Sequence, residues 1–215
     1  MNNKRIFFAS ANQFQDTFEG AVAVQTHVPP PDQRYGDMEQ GEHAFFELKR
    51  LTKLNCWHRA EYESDAMWKL YSGESKGVAI CSTPERMRHA FTPFRLRPDY
   101  GIEELWGGPV RYVDLTQVRM RHEGMLGRYF IKHRAFEWER EFRLAISLRA
   151  AEEFAESVPE YGIKVGVDIN ALVDHIMIGP ATPPDERDRV VSLARDAGLH
   201  DRLRFSSLLG FPRYI

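Results

Sequence analysis

Strand-like and helix-like segments follow one another along this chain without regular alternation, and this irregular order limits the folds open to it. We predict strands over seven short apolar or alternating segments: 4–9, 77–81, 110–113, 141–148, 163–167, 175–178 and 203–205. We predict helices over 42–52 and 64–71, from Thr83 onward, and over 183–197. A doubly wound parallel sheet requires regular βα alternation. The pattern therefore predicts an α+β fold with a mixed, largely antiparallel sheet and short packed helices.

The chain length favours one domain. The 215 residues, 43% hydrophobic and 28% charged, are within the range of single soluble domains. The strongest breaker, Val28–Asp32, is too near the first residue to separate two domains, and we expect a loop from there to Gly41. Residues 92–109 contain three prolines and three glycines and are expected to be irregular. We therefore predict a single domain over residues 1–215.

The sequence has no apolar run typical of a signal peptide or a membrane-spanning helix, which favours a cytoplasmic protein with no membrane partner. Its two cysteines, Cys56 and Cys81, each lie in an apolar stretch. We expect both thiols to be reduced and largely buried, as is usual for free cysteine.

The net charge of −2 gives no overall attraction to nucleic acid. Between Arg86 and Arg134, however, the sequence has ten Lys or Arg residues and five acidic residues, an excess of five positive charges. This stretch could bind an anionic ligand, nucleic acid not being excluded. The favoured interpretation is a solvated surface whose acidic partners come from elsewhere in the fold.

The most informative segment is Phe136–Leu144. If it forms a strand, Glu137, Glu139, Glu141 and Arg143 share one face, because successive side chains of a strand point to opposite faces. Like charges so close raise the pKa of at least one buried carboxyl group, a common route to a general acid or base. Lys132 lies close enough in sequence to offset the repulsion. The alternative is an ordinary solvated face of a half-buried strand.

Aromatic residues supply a second candidate site. Trp57, Trp68 and Tyr71 could wall a site that stacks a planar ring, although they would equally suit a core. In a third segment, Asn12–Gly20, the acidic residues Asp16 and Glu19 could be functional, with a capping role favoured.

The sequence lacks the motifs that characterise several functional classes. The chain has neither the phosphate-binding loop nor the glycine fingerprint of dinucleotide-binding folds. It also lacks the serine nucleophile elbow and the H-E-x-x-H zinc motif, and its eight histidines have no ligand-like spacing. We predict no metal site.

The order of the motifs resembles a known bacterial family. They are F-x-D-x-F-E-G (residues 14–20), C-W (56–57), M-W-x-L-Y (67–71), G-V-A-I (77–80), K-x-x-x-F-x-x-E-x-E-x-R (132–143) and V-D-I-N-A-L-V…I-M-I-G-P-A (167–181). Together they resemble the bacterial domain of unknown function 2971 over nearly the whole chain. The resemblance implies a bacterial or phage-related protein, whose relatives often occur near defence genes.

A shorter resemblance is to ADP-ribosyltransferases, which place a Glu-x-Glu pair at the start of a late strand. Glu139-Arg140-Glu141 is similar in spacing and position, and this resemblance implies that Glu141 engages the nicotinamide ribose of NAD. Those enzymes also need an early Arg or His and a middle-strand Ser-Thr or Tyr element. Arg5 and Cys81-Ser82-Thr83 could occupy these places.

We therefore expect one cleft that binds a nucleotide-type small molecule, with NAD as a candidate substrate. The expected catalytic residues are Lys132, Glu139, Glu141 and Arg143, and the expected ligand-binding residues are Arg5, Trp57, Trp68 and Tyr71. Arg5 or Arg143 would hold phosphate through bidentate hydrogen bonds. One alternative is a non-catalytic defence or sensor module. A less favoured one is a Mg²⁺-dependent nuclease using Glu137, Glu139 or Glu141 with Asp114 or Asp168.

Overall fold

The computed structural model describes residues 4–24, 43, 45–120 and 124–214. These residues form ten strands, numbered in chain order: β1 Arg5–Ser10, β2 Thr52–His58, β3 Val78–Cys81, β4 Leu105–Pro109, β5 Arg111–Val113, β6 Ile131–His133, β7 Glu141–Ser147, β8 Gly162–Gly166, β9 His175–Ile178 and β10 Leu203–Phe205. Five α-helices have both ends among the described residues, α1 Asp65–Tyr71, α2 Pro84–Ala90, α3 Arg149–Glu153, α4 Ile169–Leu172 and α5 Pro184–Asp196, and residues 43 and 45–48 are also helical. The α+β fold is confirmed. The loop expected over residues 28–41 lies outside the described residues.

The contacts between Cα atoms divide the described chain into two compact units. The first contains the described residues up to Arg59 together with Pro93–Gly166, and the second contains Ala60–Thr92 and the residues from Val167 onward. Each unit is therefore assembled from two separate stretches of chain. The single domain expected from chain length stays a prediction. In the part of the chain that the structure describes, no helix is both long and apolar enough to cross a membrane.

The first unit is built on a five-stranded sheet in the order β4-β7-β2-β1-β8, in which every neighbouring pair is antiparallel. A separate parallel pair, β5 and β6, lies in the same unit. On one face of the larger sheet, Leu54 of β2 and Ala145 of β7 pack with Ala11 and Tyr129. These four residues form a core against which Phe14, Leu126 and Phe130 pack. This core holds the segment that follows β1 and the segment that precedes β6 against the sheet.

Strand β4 corrects the expectation that residues 92–109 are wholly irregular. Its sequence, Leu-Trp-Gly-Gly-Pro, lacks the usual strand signals, yet it pairs with β7. A Cβ atom at Gly107 would lie 3.1 Å from a methyl carbon of Leu144, so glycine permits close packing here. Pro109 is tolerated because β4 is an edge strand of the sheet.

The segment before β7 is not the strand that its alternating charges predict. Residues Arg134–Glu139 form a 3-10 helix, and His133 accepts a hydrogen bond from the Ala135 backbone N–H at its start. Arg140 adopts a left-handed conformation (φ 44°, ψ 52°), and β7 begins only at Glu141. The prediction of one continuous strand face from Glu137 to Arg143 is therefore wrong. Only Glu141 and Arg143 share a strand face.

The second unit contains a three-stranded sheet in the order β10-β9-β3, against which α5 packs through Ala194. The predicted helix starts are confirmed, because Ser64 accepts from the Met67 N–H at 3.4 Å and Thr83 accepts from the Arg86 N–H at 3.2 Å. Glu63, immediately before α1, accepts hydrogen bonds from Ser206 and Ser207. These bonds tie the segment after β10 to the start of α1.

We expect Gly162→Ala to destabilise the protein by about 2–4 kcal/mol, within the range of severe backbone and packing changes. Gly162 has φ of +154°, which side chains rarely adopt, and a Cβ atom there would overlap the Phe8 carbonyl oxygen and the Phe7 ring. Chemical denaturation measures the loss. Gly101→Ala is the control, since a Cβ atom at Gly101 meets nothing within 4 Å. Equal stabilities of the two variants would contradict this account of β1–β8 packing.

Candidate functional site

Six ionisable residues of the first unit form a charged cluster: Asp16, Glu19, Lys132, Glu139, Glu141 and Arg143. Four are carboxylates and two are cations. The side chain of Glu139 has the largest exposed fraction among the six, 13%, and that of Arg143 has none. The cluster therefore has a closed end at Arg143 and a slightly open end at Glu139.

Arg143 joins the strand β7 to the segment before β2. Its Nε donates to Glu141 Oε2 at 2.7 Å, and its Nη2 donates to Glu141 Oε1 at 3.1 Å. Its Nη1 and Nη2 donate to the two carboxylate oxygens of Glu19 at 2.5 and 2.9 Å. A further bond from Nη1 reaches the Tyr129 carbonyl oxygen at 2.7 Å. These contacts use all five donors of the guanidinium group, so Arg143 has no N–H left to hold a phosphate.

The contact between Glu19 and Arg143 is the part of the cluster that sequence reasoning missed. Glu19 lies 124 residues from Arg143, and its side chain is almost completely buried. The favoured capping role does not describe it, because both of its carboxylate oxygens accept from Arg143. Asp16 does cap its turn: its Oδ1 accepts from the Phe18 N–H at 2.8 Å. The sequence marked Glu19 only as an acidic residue of the Asn12–Gly20 segment and as part of the F-E-G motif.

Lys132 gathers the carboxylates at the open end. Its Nζ donates to Glu139 Oε2 at 2.5 Å and to Glu141 Oε1 at 2.9 Å. The Phe136 ring centre is 4.6 Å from Nζ, and Asp16 Oδ2 is 3.6 Å away. Lys132, Glu139, Glu141 and Arg143 are thus brought together, as the sequence predicts. The contacts themselves assign no chemical role to these four residues.

Glu139 is the last residue of the 3-10 helix that follows β6, and Arg140 connects it to β7. The left-handed Arg140 ends the 3-10 helix, and its carbonyl oxygen accepts from the Arg59 N–H at 2.8 Å. The His58 Nδ1 lies 2.6 Å from the Glu139 carbonyl oxygen. Since a carbonyl oxygen can only accept, this contact places a proton on Nδ1. These contacts therefore fix the position of the Glu139 backbone.

The two glutamates of the pair have opposite protonation behaviour. Burial raises the pKa of Glu139 to about 7, a hydrogen bond with Glu141 adds to the rise, and Lys132 opposes it. Burial alone would also raise the pKa of Glu141, but hydrogen bonds from Arg143 and Lys132 hold that pKa well below its usual range. The Tyr112 hydroxyl oxygen accepts from the Glu141 N–H at 2.7 Å. The surroundings therefore favour the charged form of Glu141 and the neutral form of Glu139.

The raised pKa of Glu139 has a consequence for stability. An unfolded glutamate titrates near 4.3, so between about pH 4.5 and 7 the folded chain keeps a proton that the unfolded chain loses. This group therefore lowers the free energy of unfolding as pH rises through that range. Gln has no such titration and still resembles protonated Glu. As pH rises from 5 to 8, the parent should lose stability and Glu139→Gln should not. The free energy of unfolding of the variant relative to the parent should therefore rise by on the order of 1 kcal/mol after solvent screening.

Urea denaturation of both proteins at the two pH values measures this difference. The opposite contribution of Glu141, which is lost as pH falls, is present in both proteins and cancels. The control is Glu137→Gln, because Glu137 is 63% exposed and pairs only loosely with Arg134 at 3.6 Å. A stability difference between Glu139→Gln and the parent that is independent of pH would show that Glu139 does not titrate in this range.

Cys56 faces Arg143 across the β2–β7 pair. Both cysteines are free thiols, but Cys56 is exposed and Cys81 is partly exposed, so the expectation that both are largely buried is wrong. Desolvation nevertheless raises the pKa of the Cys56 thiol well above its usual value, Arg143 opposes the rise, and Glu141 adds to it. Cys56 is therefore a protonated thiol beside the cluster at neutral pH.

The four expected ligand-binding residues are divided between the two units. Arg5, exposed on β1, shares a face of the sheet with Glu141 and Arg143, as the register through Ala9, Leu54 and Ala145 shows. Trp57 donates its indole N–H to Asn55 Oδ1 at 2.5 Å. In the second unit, Trp68 is buried and donates to Glu63 at 3.1 Å, whereas Tyr71 is 64% exposed. Convergence of Trp68 or Tyr71 with Glu141 and Arg143 stays a prediction.

The carboxylates proposed for a nuclease have other local roles. Asp114 accepts from the Thr116 N–H at 3.0 Å, and Asp168 accepts from the N–H groups that start α4. Glu137 lies on the exposed side of the 3-10 helix beside Arg134. Within residues 4–24, 43, 45–120 and 124–214, no three His, Cys, Asp or Glu side chains are grouped to hold a metal ion.

Several basic residues between Arg86 and Arg134 have acidic partners from other segments. Arg86 lies 3.3 Å from Asp174, and Arg97 lies 2.5 Å from Glu156. Lys132 is committed to the charged cluster. The local excess of positive charge in the sequence is thus partly neutralised in the fold, as the favoured interpretation expects.

Comparison with known proteins gives no match to any protein family model, to any curated protein or to any solved structure. The arguments for function therefore rest on the charged cluster itself.

Proposed function

We propose that the protein catalyses group transfer or hydrolysis on a nucleotide-type ligand such as NAD, with Glu139 as the general acid or base. One observation carries the proposal. Glu139, with a pKa raised to about 7, contacts the same ammonium group as Glu141, whose pKa is held low. Paired carboxyl groups whose environments separate their pKa values are a common arrangement in acid–base catalysis. A pKa near 7 suits proton exchange at neutral pH.

The other residues of the cluster have positioning roles in this proposal. Lys132 holds the side chains of Glu139 and Glu141 side by side, and Arg143 holds Glu141 in place from behind. This assignment differs from the one implied by the resemblance to ADP-ribosyltransferases, in which Glu141 would engage the ribose. In our proposal Glu139, and not Glu141, is the reacting carboxyl group, because the side chain of Glu139 is more exposed and can exchange a proton. Arg5, on the same sheet face, remains available for phosphate.

A second candidate is a non-catalytic ligand- or partner-binding module. It is favoured by the mutual saturation of Glu19, Glu141 and Arg143, which is typical of a buried structural network. A connection to phage defence is supported only by the resemblance to the bacterial domain of unknown function 2971. A Mg²⁺-dependent nuclease has the least support.

The proposal is tested by incubating the purified protein with NAD, with and without EDTA, from pH 5 to pH 9. The expected result is NAD consumption that is insensitive to EDTA and changes with an apparent pKa near 7, the value for Glu139. Activity on nucleic acid that EDTA abolishes would favour the nuclease. Binding of NAD without consumption would favour the non-catalytic module.

A further inference from the structure

Asp16 has one carboxylate oxygen whose role the turn does not explain. Its side chain is 7% exposed, so more than nine-tenths of it is buried. Oδ1 caps the turn at Phe18, but Oδ2 is buried and has no hydrogen-bond partner among the described residues. A buried polar oxygen without a hydrogen-bond donor costs free energy. Apart from its ion pair with Lys132, this oxygen therefore lacks a donor at hydrogen-bond distance among the described residues.

The neighbour of this oxygen is Lys132. Nζ of Lys132 lies 3.6 Å from Asp16 Oδ2, beyond the usual hydrogen-bond distance. Of the three N–H donors of the ammonium group, two reach Glu139 and Glu141. A polar separation of this size is typical of two groups bridged by a third. The bridging group must donate to Asp16 and can accept from Lys132.

A hydroxyl group is the smallest ligand group that does both. We propose that Asp16 and Lys132 together bind one hydroxyl group of the ligand, which makes the ligand a sugar-bearing one such as a ribonucleoside. The inference rests on the proposed function and deepens it. A hydroxyl bound to Lys132 Nζ lies beside Glu139, whose Oε2 is 2.5 Å from the same nitrogen. The carboxyl group that exchanges a proton is then next to the sugar.

The test compares the binding of adenosine and 2′,3′-dideoxyadenosine by calorimetry. The parent protein is expected to bind adenosine about tenfold or more tightly than the dideoxy analogue, which lacks both the 2′ and 3′ hydroxyl groups, as for the loss of at least one hydrogen bond to a charged group. Asp16→Asn keeps an oxygen for the Phe18 cap and replaces the other oxygen with a donor. This variant is expected to bind the two nucleosides equally.

Asp114→Asn is a matched control, because Asp114 makes the same kind of turn with the Thr116 N–H but is 44% exposed. It should keep the discrimination of the parent. Equal binding of the two nucleosides by the parent, or no binding of either, would overturn the inference, and so would discrimination that survives in Asp16→Asn. The last result would mean that other residues recognise the sugar hydroxyl groups. Discrimination that depends on Asp16, found without NAD consumption, would support the hydroxyl site and reject catalysis.

Discussion

Arg143→Met is expected to lower the free energy of unfolding by about 3–5 kcal/mol, the usual cost of breaking a buried ion pair from one side. Methionine fills a similar volume but supplies no donor. The carboxylates of Glu19 and Glu141 would then face each other's charge without the guanidinium group that separates them. Both are buried, at 1% and 7% exposure, so water replaces little of the lost interaction. Urea denaturation measures the loss.

The matched control for Arg143→Met is Arg149→Met. Arg149 also pairs with a glutamate, Glu153 at 3.1 Å, but the two side chains are 52% and 60% exposed. Exposed pairs contribute about 1 kcal/mol or less. The double variant Glu19→Gln/Arg143→Met should recover part of the loss, because it removes one of the unpaired charges. A cost for Arg143→Met as small as that for Arg149→Met would contradict the network.

The contacts of the charged cluster that could be predicted are those between residues close in sequence. Lys132, Glu139 and Glu141 lie within ten positions of one another, and a short strand, a turn and a second strand return the chain over that distance. Their charges alone favour contact. The alternation that places Glu141 and Arg143 on one face is confirmed because both lie within β7. Glu137 fails the same rule, because the 3-10 helix and the left-handed Arg140 break the strand period.

The distant part of the cluster could not be predicted. The contact between Glu19 and Arg143 depends on how the segment before β2 packs over the sheet, and nothing local to either residue specifies it. The same limit applies to β2. Trp57 was expected to wall a binding site, but its position in β2 is set by pairing with Phe142 of β7. Strand β4 was missed because Gly107 is selected for close packing against Leu144 rather than for strand propensity.

Trp68 illustrates a further limit. The Ser64 cap and the residues that follow correctly predict the helix α1. The pattern does not decide whether an indole lines a core or a binding site, since both require an apolar ring with one polar atom. The structure buries the ring and satisfies its N–H with Glu63. That contact favours a structural role for Trp68 within the second unit.

Glu139→Gln is expected to lower NAD turnover by about a hundredfold or more, the usual contribution of a general acid or base. Gln can still accept from Lys132 and donate to Glu141, so it reproduces the protonated glutamate and should leave the fold intact. It cannot release or take up a proton, and the pH dependence near 7 should disappear with the activity. The measurement is kcat for NAD consumption from pH 5 to pH 9, beside a melting temperature.

Glu137→Gln changes the same residue type two positions away, on the exposed side of the same 3-10 helix, and should keep full activity. An active Glu139→Gln protein with an unchanged pH profile would reject Glu139 as the proton-exchanging group and leave that role to another residue.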